Sequence, residues 1–398
     1  MSDPQGRRAV VLVIDACGAG ALPDAGAYGD EGANTLGHLA EAVGGLELPV
    51  MGDLGLGSIL ELEGLAPSSD PAIHGRLAPL GPGKDSITGH WELMGVTLER
   101  PLPTYPSGFP REILARLQQA MGRAVICNRP DNGLAAIEEY GAEHLRSGAL
   151  ILYTSQDSVL QLAAHIDRVT PAELYEACAA ARGVMGGADA VGRVIARPFA
   201  GAEGSFVRTE GRRDLALAPP GKSYLQELER AGIEVMAVGK VDDLFASRGI
   251  GSAHPGSNNA QALASVERLL AEDRPGLIFA NLIETDQVYG HRKDTAGFHG
   301  ALRLIDEAAG RIAATLGPGD LLIVSADHGV DPAHPGTDHT REYVPLLALT
   351  GAMAQAAAAG APRGGFRHDG PMADVGATLL HWLAGRSSGG LPGRSFIS

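Results

Sequence analysis

The stretch that most restricts this chain is Leu321-Leu-Ile-Val324 and the five residues after it. A short, continuous apolar run with β-branched members is the pattern of a strand buried on both faces. Such a strand belongs inside a sheet with helices on either side. The run stops at Ser325-Ala326 and delivers Asp327, His328 and Gly329 to a loop. In open α/β sheets that carboxyl edge is where ligands bind. A carboxylate beside an imidazole suits a hard or borderline cation. An isolated Asp-His pair fits a solvated loop at least as well, so the rest of the chain has to decide.

The same arrangement recurs. Ala9–Ile14 is a second buried run, and it ends in Asp15-Ala-Cys-Gly-Ala-Gly20. Leu277–Ile283 is a third; it ends in Glu284-Thr-Asp286, with Gln287-Val-Tyr-Gly-His291 next. His339 follows in Gly336-Thr-Asp-His-Thr-Arg341, ahead of a strand at Leu346–Leu349. Between these runs, periodic apolar residues predict helices opening at Asn34-Thr35 and spanning 222–231, 258–271 and 298–316. A strand falls at Glu234–Val238, and the Ala-rich run near 352–361 reads as helix. The expected fold is α/β: a mostly parallel sheet with helices on both faces.

Composition narrows the partners. The chain has 398 residues, 44% hydrophobic, and a net charge of −15 from 47 acidic and 32 basic residues. With no basic run or aromatic-interleaved patch, nucleic acid is not expected as a partner. Cys17, Cys127 and Cys178 are far apart and form no CxxC, which suits a reducing compartment. The N-terminus passes from Arg7-Arg8 straight into a strand without the features of a signal peptide, and no apolar run can span a bilayer. These features predict a soluble cytoplasmic protein. Lysine occurs only at Lys84, Lys222, Lys240 and Lys293, so Gly-Lys at Lys84 and Lys240 draws notice.

Gly81-Pro-Gly-Lys-Asp-Ser-Ile-Thr-Gly-His-Trp-Glu92 brackets a Lys, an Asp, two hydroxyls and a His just before a helical apolar spacing. A hydroxyl at a helix N-terminus has backbone donors and a favourable dipole for an anion; N-capping is its commoner use. Residues 100–217 read as a smaller α+β domain inserted into the larger one, leaving 1–99 and 218–398 as the two parts of the core. Arg100–Pro106 and Ala218–Gly221 are its linkers. Inside it the pattern predicts helix 110–121, strands Ala124–Cys127 and Leu150–Tyr153, helix 171–183 and strand Val194–Ile195. Ser155-Gln-Asp157 follows one strand, and Arg193, Arg197, Arg208, Arg212 and Arg213 crowd the second half. In so acidic a chain such a cluster suits phosphate.

The strand-end ligand candidates are therefore Asp15, Ser86 or Thr88, Asp286, His291, Asp327, His328 and His339. Carboxylates and imidazoles in that number suffice for two divalent cations with a hydroxyl between them, an arrangement suited to phosphoryl transfer.

Val13-Ile-Asp15, Gly83–Glu92, Asp286 with Gly290-His291, Ala326–Gly329 and Asp338–Arg341 together resemble the alkaline phosphatase superfamily and, within it, the phosphopentomutases. Gly-Lys-Asp-x-x-Thr-Gly-His-Trp-Glu and Arg193-Val-Ile-Ala-Arg-Pro-Phe199 carry the narrower resemblance, which extends over nearly the whole chain. It implies an alkaline-phosphatase-like core with an inserted cap. The implied activity interconverts α-D-ribose 1-phosphate and D-ribose 5-phosphate, or their 2-deoxy forms. The implied ligands of one Mn²⁺ are Asp15, Asp327 and His328, and of a second Asp286, His291 and His339, with Ser86 touching both. Ser86 would carry a phosphoryl group, primed by glucose 1,6-bisphosphate or another sugar bisphosphate. Ser155, Asp157, Arg193, Arg208 and Lys240 would hold the sugar hydroxyls and the non-reacting phosphate. The family has Thr where this chain has Ser86, which leaves Thr88 as the competing hydroxyl. The implied partners are small-molecule sugar phosphates, with no nucleic acid and no membrane, and the protein is expected to be a monomer. Cofactor-independent phosphoglycerate mutase or a metal-dependent phosphatase of the same superfamily is the rival reading.

Overall fold

The computed structural model describes residues 6–155 and 158–397. Two compact units make up the chain, one formed by Met1–Arg100 with Pro219–Ser398 and the other by Pro101–Ala218.

The larger unit is built on an eight-stranded sheet. Its order runs from Ser252–His254 through Val235–Val238, Gly276–Leu282, Arg8–Ile14, Asp320–Ala326, Val344–Thr350 and Ile73–Ala78 to Gly370–Pro371. The first five strands are parallel, and Val344–Thr350 is antiparallel to both its neighbours. Every residue of Gly276–Leu282 and Asp320–Ala326 is buried. That is the expected state for strands covered by helices on both faces.

Register decides what reaches the carboxyl edge. Ile14 lies opposite Leu282 on one side and Ala326 on the other. Asp15, Asp327 and the turn carrying Asp286 therefore leave the sheet side by side. The apolar run at Leu321 does not end at Ser325-Ala326 as its hydrophobicity suggests: pairing with Leu346 and Ile14 carries the strand on to Ala326. Ile73–Ala78, interrupted in sequence by His74 and Gly75, also joins the sheet, because it pairs with Val344–Thr350.

The smaller unit has a sheet containing Val125–Pro130, Leu150–Thr154, Val159–His165, Arg193–Ala200 and Val207–Arg208. Alternation along Leu150–Thr154 separates two cores. Leu150 and Leu152 pack with the helices Arg111–Met121 and Pro171–Val184, while Ile151 and Tyr153 pack with Gly133–Ser147. The last helix and the Val159–His165 strand go beyond the sequence expectation.

Candidate active site

Asp15 leaves its strand just before Ala16, whose φ of 64° is unusual for a residue with a side chain. That turn aims the Ala16 N–H at Asp327 Oδ1, 3.0 Å away, and His328 N–H donates to the same oxygen at 3.0 Å. Asn281 Nδ2 donates to Asp15 Oδ2 at 2.9 Å, which leaves Oδ1 directed into the site.

Ser86 opens the helix Ser86–Leu93, and Asp85 caps it by accepting from the N–H groups of Ile87 and Thr88. The Thr88 hydroxyl completes this capping box by accepting from Asp85 N–H at 3.4 Å, and it donates to Asp85 Oδ2 at 2.8 Å. The Ser86 hydroxyl instead lies 3.2 Å from Asp15 Oδ1 and 3.1 Å from His328 Nε2. The two hydroxyls thus separate: one closes the cap and the other faces the carboxylates. Gly89 allows the approach, since a Cβ there would lie 2.8 Å from both the carbonyl carbon and Cβ of Asp327.

Three imidazoles present Nε2. His328 donates from Nδ1 to Gly329 O at 3.1 Å, and its Nε2 lies 3.4 Å from Asp15 Oδ1 and 3.5 Å from Asp327 Oδ2. His291 donates from Nδ1 to Thr337 O at 2.7 Å and turns Nε2 toward Asp286 Oδ1 at 3.4 Å. A backbone acceptor at Nδ1 is the usual device that fixes Nε2 as the lone-pair nitrogen of a metal ligand. His339 Nε2 is 3.2 Å from the same Asp286 oxygen. Asp286 sits in a π-helical turn, Thr285–Tyr289, of a kind common at functional sites.

Ligand atoms of Asp15, Asp327 and His328 all lie within 4.8 Å of one another, as do those of Asp286, His328 and His339. The second group differs from the set implied by resemblance: His328 joins both, and His291 lies outside it, with Nε2 3.4 Å from Asp286 Oδ1 and its ring centroid 4.9 Å from that of His339. Asp286 Oδ1, Asp327 Oδ2 and His339 Nε2 are buried and lack hydrogen-bond partners. Orphaned oxygens and a ring nitrogen converging in one place, without thiolate, fit divalent cations.

The electrostatics agree with that fit. Burial works to raise the Asp15 carboxyl, but the His328 hydrogen bond and charge hold it below the ordinary range. Burial and the Asp15 charge push Asp327 up, as expected when two carboxylates share a site. Although burial opposes it, the charges of Asp327 and Asp15 pull His328 well above its ordinary value. A field that strongly favours a proton on His328 also favours a cation.

The substrate-binding candidates fare differently. Lys240 Nζ, in the larger unit, donates to Gln287 Oε1 at 2.6 Å. Ser155, Arg193 and Arg208 belong to the smaller unit, and Asp157 lies outside the described residues. Arg193 Nε is buried without a partner, and one of its amino groups stands 4.0 Å from Asp214. The neighbouring arginines have other engagements. Arg212 forms a forked pair with Asp214 at 2.7 and 2.6 Å, Arg197 donates to Gln161, and Arg213 covers Tyr175.

Residues 7–385 match the family model described as "Metalloenzyme superfamily". Phosphopentomutase from Caldanaerobacter subterraneus is 48% identical over 87% of this chain and 88% of its own length. Phosphopentomutase from Anaeromyxobacter sp. is 46% identical over 98% of both chains. This chain belongs to the phosphopentomutase family. Among solved structures, phosphoglycerate mutase from Leishmania mexicana matches at 12% identity and a TM-score of 0.49, over 99% of this chain and 98% of that one.

The family loop is held by residues to which the sequence alone assigns no partner. Glu92 accepts from the N–H groups of Leu80 and Gly81 at 2.9 and 2.7 Å, folding the loop back onto its helix. Lys84 pairs with buried Asp30 at 2.9 Å, so its charge anchors the loop. Arg341 donates to Gly83 O at 2.9 Å and pairs with Asp24 at 3.0 Å. His90 donates from Nδ1 to Ser86 O at 2.8 Å, with Asp327 Oδ2 at 3.1 Å. His38, which carries no metal-like spacing, bonds Asp331 at 2.7 Å. Asp30 and Glu342 stand outside any periodic pattern, and only their distant partners single them out.

Proposed function

We propose that this chain is a phosphopentomutase acting on α-D-ribose 1-phosphate and D-ribose 5-phosphate, or their 2-deoxy forms, with Ser86 as the phosphoryl carrier. The observation that carries this reading is the position of the Ser86 hydroxyl at a helix N-terminus between Asp15 and His328, while Thr88 closes the cap. In this reading a phosphoryl group on Ser86 passes to the free hydroxyl of the sugar phosphate, and the sugar's other phosphate returns to Ser86. Each transfer breaks one P–O bond and forms one. The positive end of the helix dipole favours the anion on Ser86, and His90 fixes the Ser86 backbone.

Asp15, Asp327 and His328 are assigned to one divalent cation, and Asp286, His291 and His339 to a second, with Mn²⁺ favoured by the mixed oxygen and nitrogen donors. Such cations would neutralise phosphoryl charge and lower the proton affinity of the Ser86 hydroxyl. Ser155, Asp157, Arg193, Arg208 and Lys240 are assigned to the sugar hydroxyls and the non-reacting phosphate. The Pro101–Ala218 unit is assigned the exclusion of water that separates a mutase from a phosphatase. Priming by a sugar bisphosphate and a cytoplasmic location complete the reading. Among the described residues no helix is long and apolar enough to cross a membrane.

The test joins tandem mass spectrometry of the Gly83–Glu92 peptide with a mutase assay. Ser86→Ala is expected to lose both phosphate and turnover, Ser86→Thr to keep both, and Thr88→Ala to retain measurable activity. Phosphate on Thr88, or turnover by Ser86→Ala, refutes the assignment.

A further inference from the structure

Glu342 is 2% exposed, and its carboxylate receives four hydrogen bonds. Its Oε2 accepts from the N–H groups of Gly20 and Thr35 at 3.0 and 2.9 Å. Its Oε1 accepts from the hydroxyls of Thr35 and Thr340 at 2.6 and 2.7 Å. Both hydroxyls are also acceptors. Val330 N–H donates to Thr35 Oγ1 at 3.0 Å, and Asp331 N–H to Thr340 Oγ1 at 3.2 Å. Each hydroxyl therefore relays the carboxylate's pull to a backbone amide just past His328. Thr340 N–H also donates to Gly329 O at 2.8 Å, joining the residue after His339 to the residue after His328.

The surrounding chain is shaped around this one side chain. A Cβ on Gly18 would lie 2.5 Å from Glu342 Cδ, and a Cβ on Gly329 would lie 2.7 Å from it. Neither glycine has a positive φ, so close packing and not backbone freedom is what requires glycine. Four segments meet here: the turn after Asp15, the start of the Thr35–Val43 helix, the residues after His328 and the residue after His339.

We propose that Glu342 is the positioning residue of the cation site, setting where His328 and His339 present Nε2 without itself touching a cation. The proposal rests on the two-cation reading of the site. Charge and acceptor capacity are what matter. In Glu342→Gln one acceptor oxygen becomes an NH₂ of nearly the same size. If it faces the two amides, donor meets donor; if it faces the two hydroxyls, they lose their acceptor. The relays to Val330 and Asp331 loosen while the packing volume stays. Removing partners of this kind typically weakens metal affinity by about 10–100-fold.

The experiment titrates metal-free protein with Mn²⁺ and follows the electron paramagnetic resonance signal of the free ion, alongside thermal unfolding in chelator. Wild type is expected to take up two equivalents. Glu342→Gln is expected to bind Mn²⁺ about 10–100-fold more weakly, and adding Thr35→Val to it should weaken binding little further, because the Thr35 relay is already cut. A merely structural role would lower the unfolding temperature in chelator and leave Mn²⁺ affinity within twofold of wild type, and that result overturns the proposal. Should Glu342→Gln fail to fold, Thr35→Val alone carries the test, with weakened Mn²⁺ uptake expected and unchanged uptake overturning it. Wild-type protein that takes up no Mn²⁺ overturns the cation reading and this proposal together; normal wild-type uptake with an unaffected variant overturns only the role given to Glu342.

Discussion

Gly89→Ala isolates how closely the Ser86 helix must approach the sheet edge. A methyl group at residue 89 would stand 2.8 Å from the carbonyl carbon and from Cβ of Asp327, and closer still to the carbonyl oxygen. Carbon atoms in good contact are about 3.5–4.0 Å apart, so one side must retreat by about 1 Å. Asp327 cannot yield, because its strand is buried on both faces and its Oδ1 is held by two backbone N–H groups. The helix must move, taking the Ser86 hydroxyl from its 3.1–3.2 Å separations to distances where those contacts are lost. Helix propensity pulls the other way, since Ala is favoured over Gly by about 1 kcal/mol. A displacement of about 1 Å at a reacting group can cost about 100-fold in rate. The expected result is a turnover number lower by about 100-fold with a much smaller change in KM. Gly300→Ala serves as the control: it lies within the helix Thr295–Ala314, and a Cβ there meets nothing within 4 Å. That variant should be slightly stabilised and fully active. Full activity in Gly89→Ala would refute the idea that approach of this helix sets the site.

Exhaustive chelation should abolish turnover and Mn²⁺ should restore it, with Asp327→Ala inactive but folded by circular dichroism; activity that survives chelation counts against the cation assignment. On the proposed phosphate contact, Arg193→Ala should raise KM for ribose 5-phosphate by losing a charge-assisted interaction of about 1.5–3 kcal/mol; unchanged steady-state kinetics would remove Arg193 from the proposed substrate contacts. In the smaller unit, His144 donates to Ala149 O at 2.6 Å and accepts from His165 N–H at 2.9 Å, and burial lowers its pKa from 6.5. The unfolded chain then binds the proton at higher pH than the folded one. Stability from this group is full above about pH 6.5 and falls as pH drops toward the folded value. Urea unfolding at about pH 7.5 and 5.5 should show wild type losing more stability than His144→Gln, and equal losses would exclude the mechanism.

Much was legible in the chain itself because strands buried on both faces are mostly apolar. Their ends are marked by nearby polar residues, and Asp15, Asp286 and Asp327, each within four residues of a strand end, face the site. The Gly83–Glu92 segment was equally legible, since capping and a helix N-terminus are local events. Which of its hydroxyls faces the carboxylates could not be read there: Ser86 and Thr88 differ only in what other parts of the chain bring to them. Tertiary structure alone decided that His328 stands between both ligand groups, that Asp30 anchors Lys84, and that Glu342 joins four segments up to 322 residues apart. Hydrogen bonds between such distant residues leave no period in the sequence, because their geometry exists only once the sheet register has brought the strand ends together.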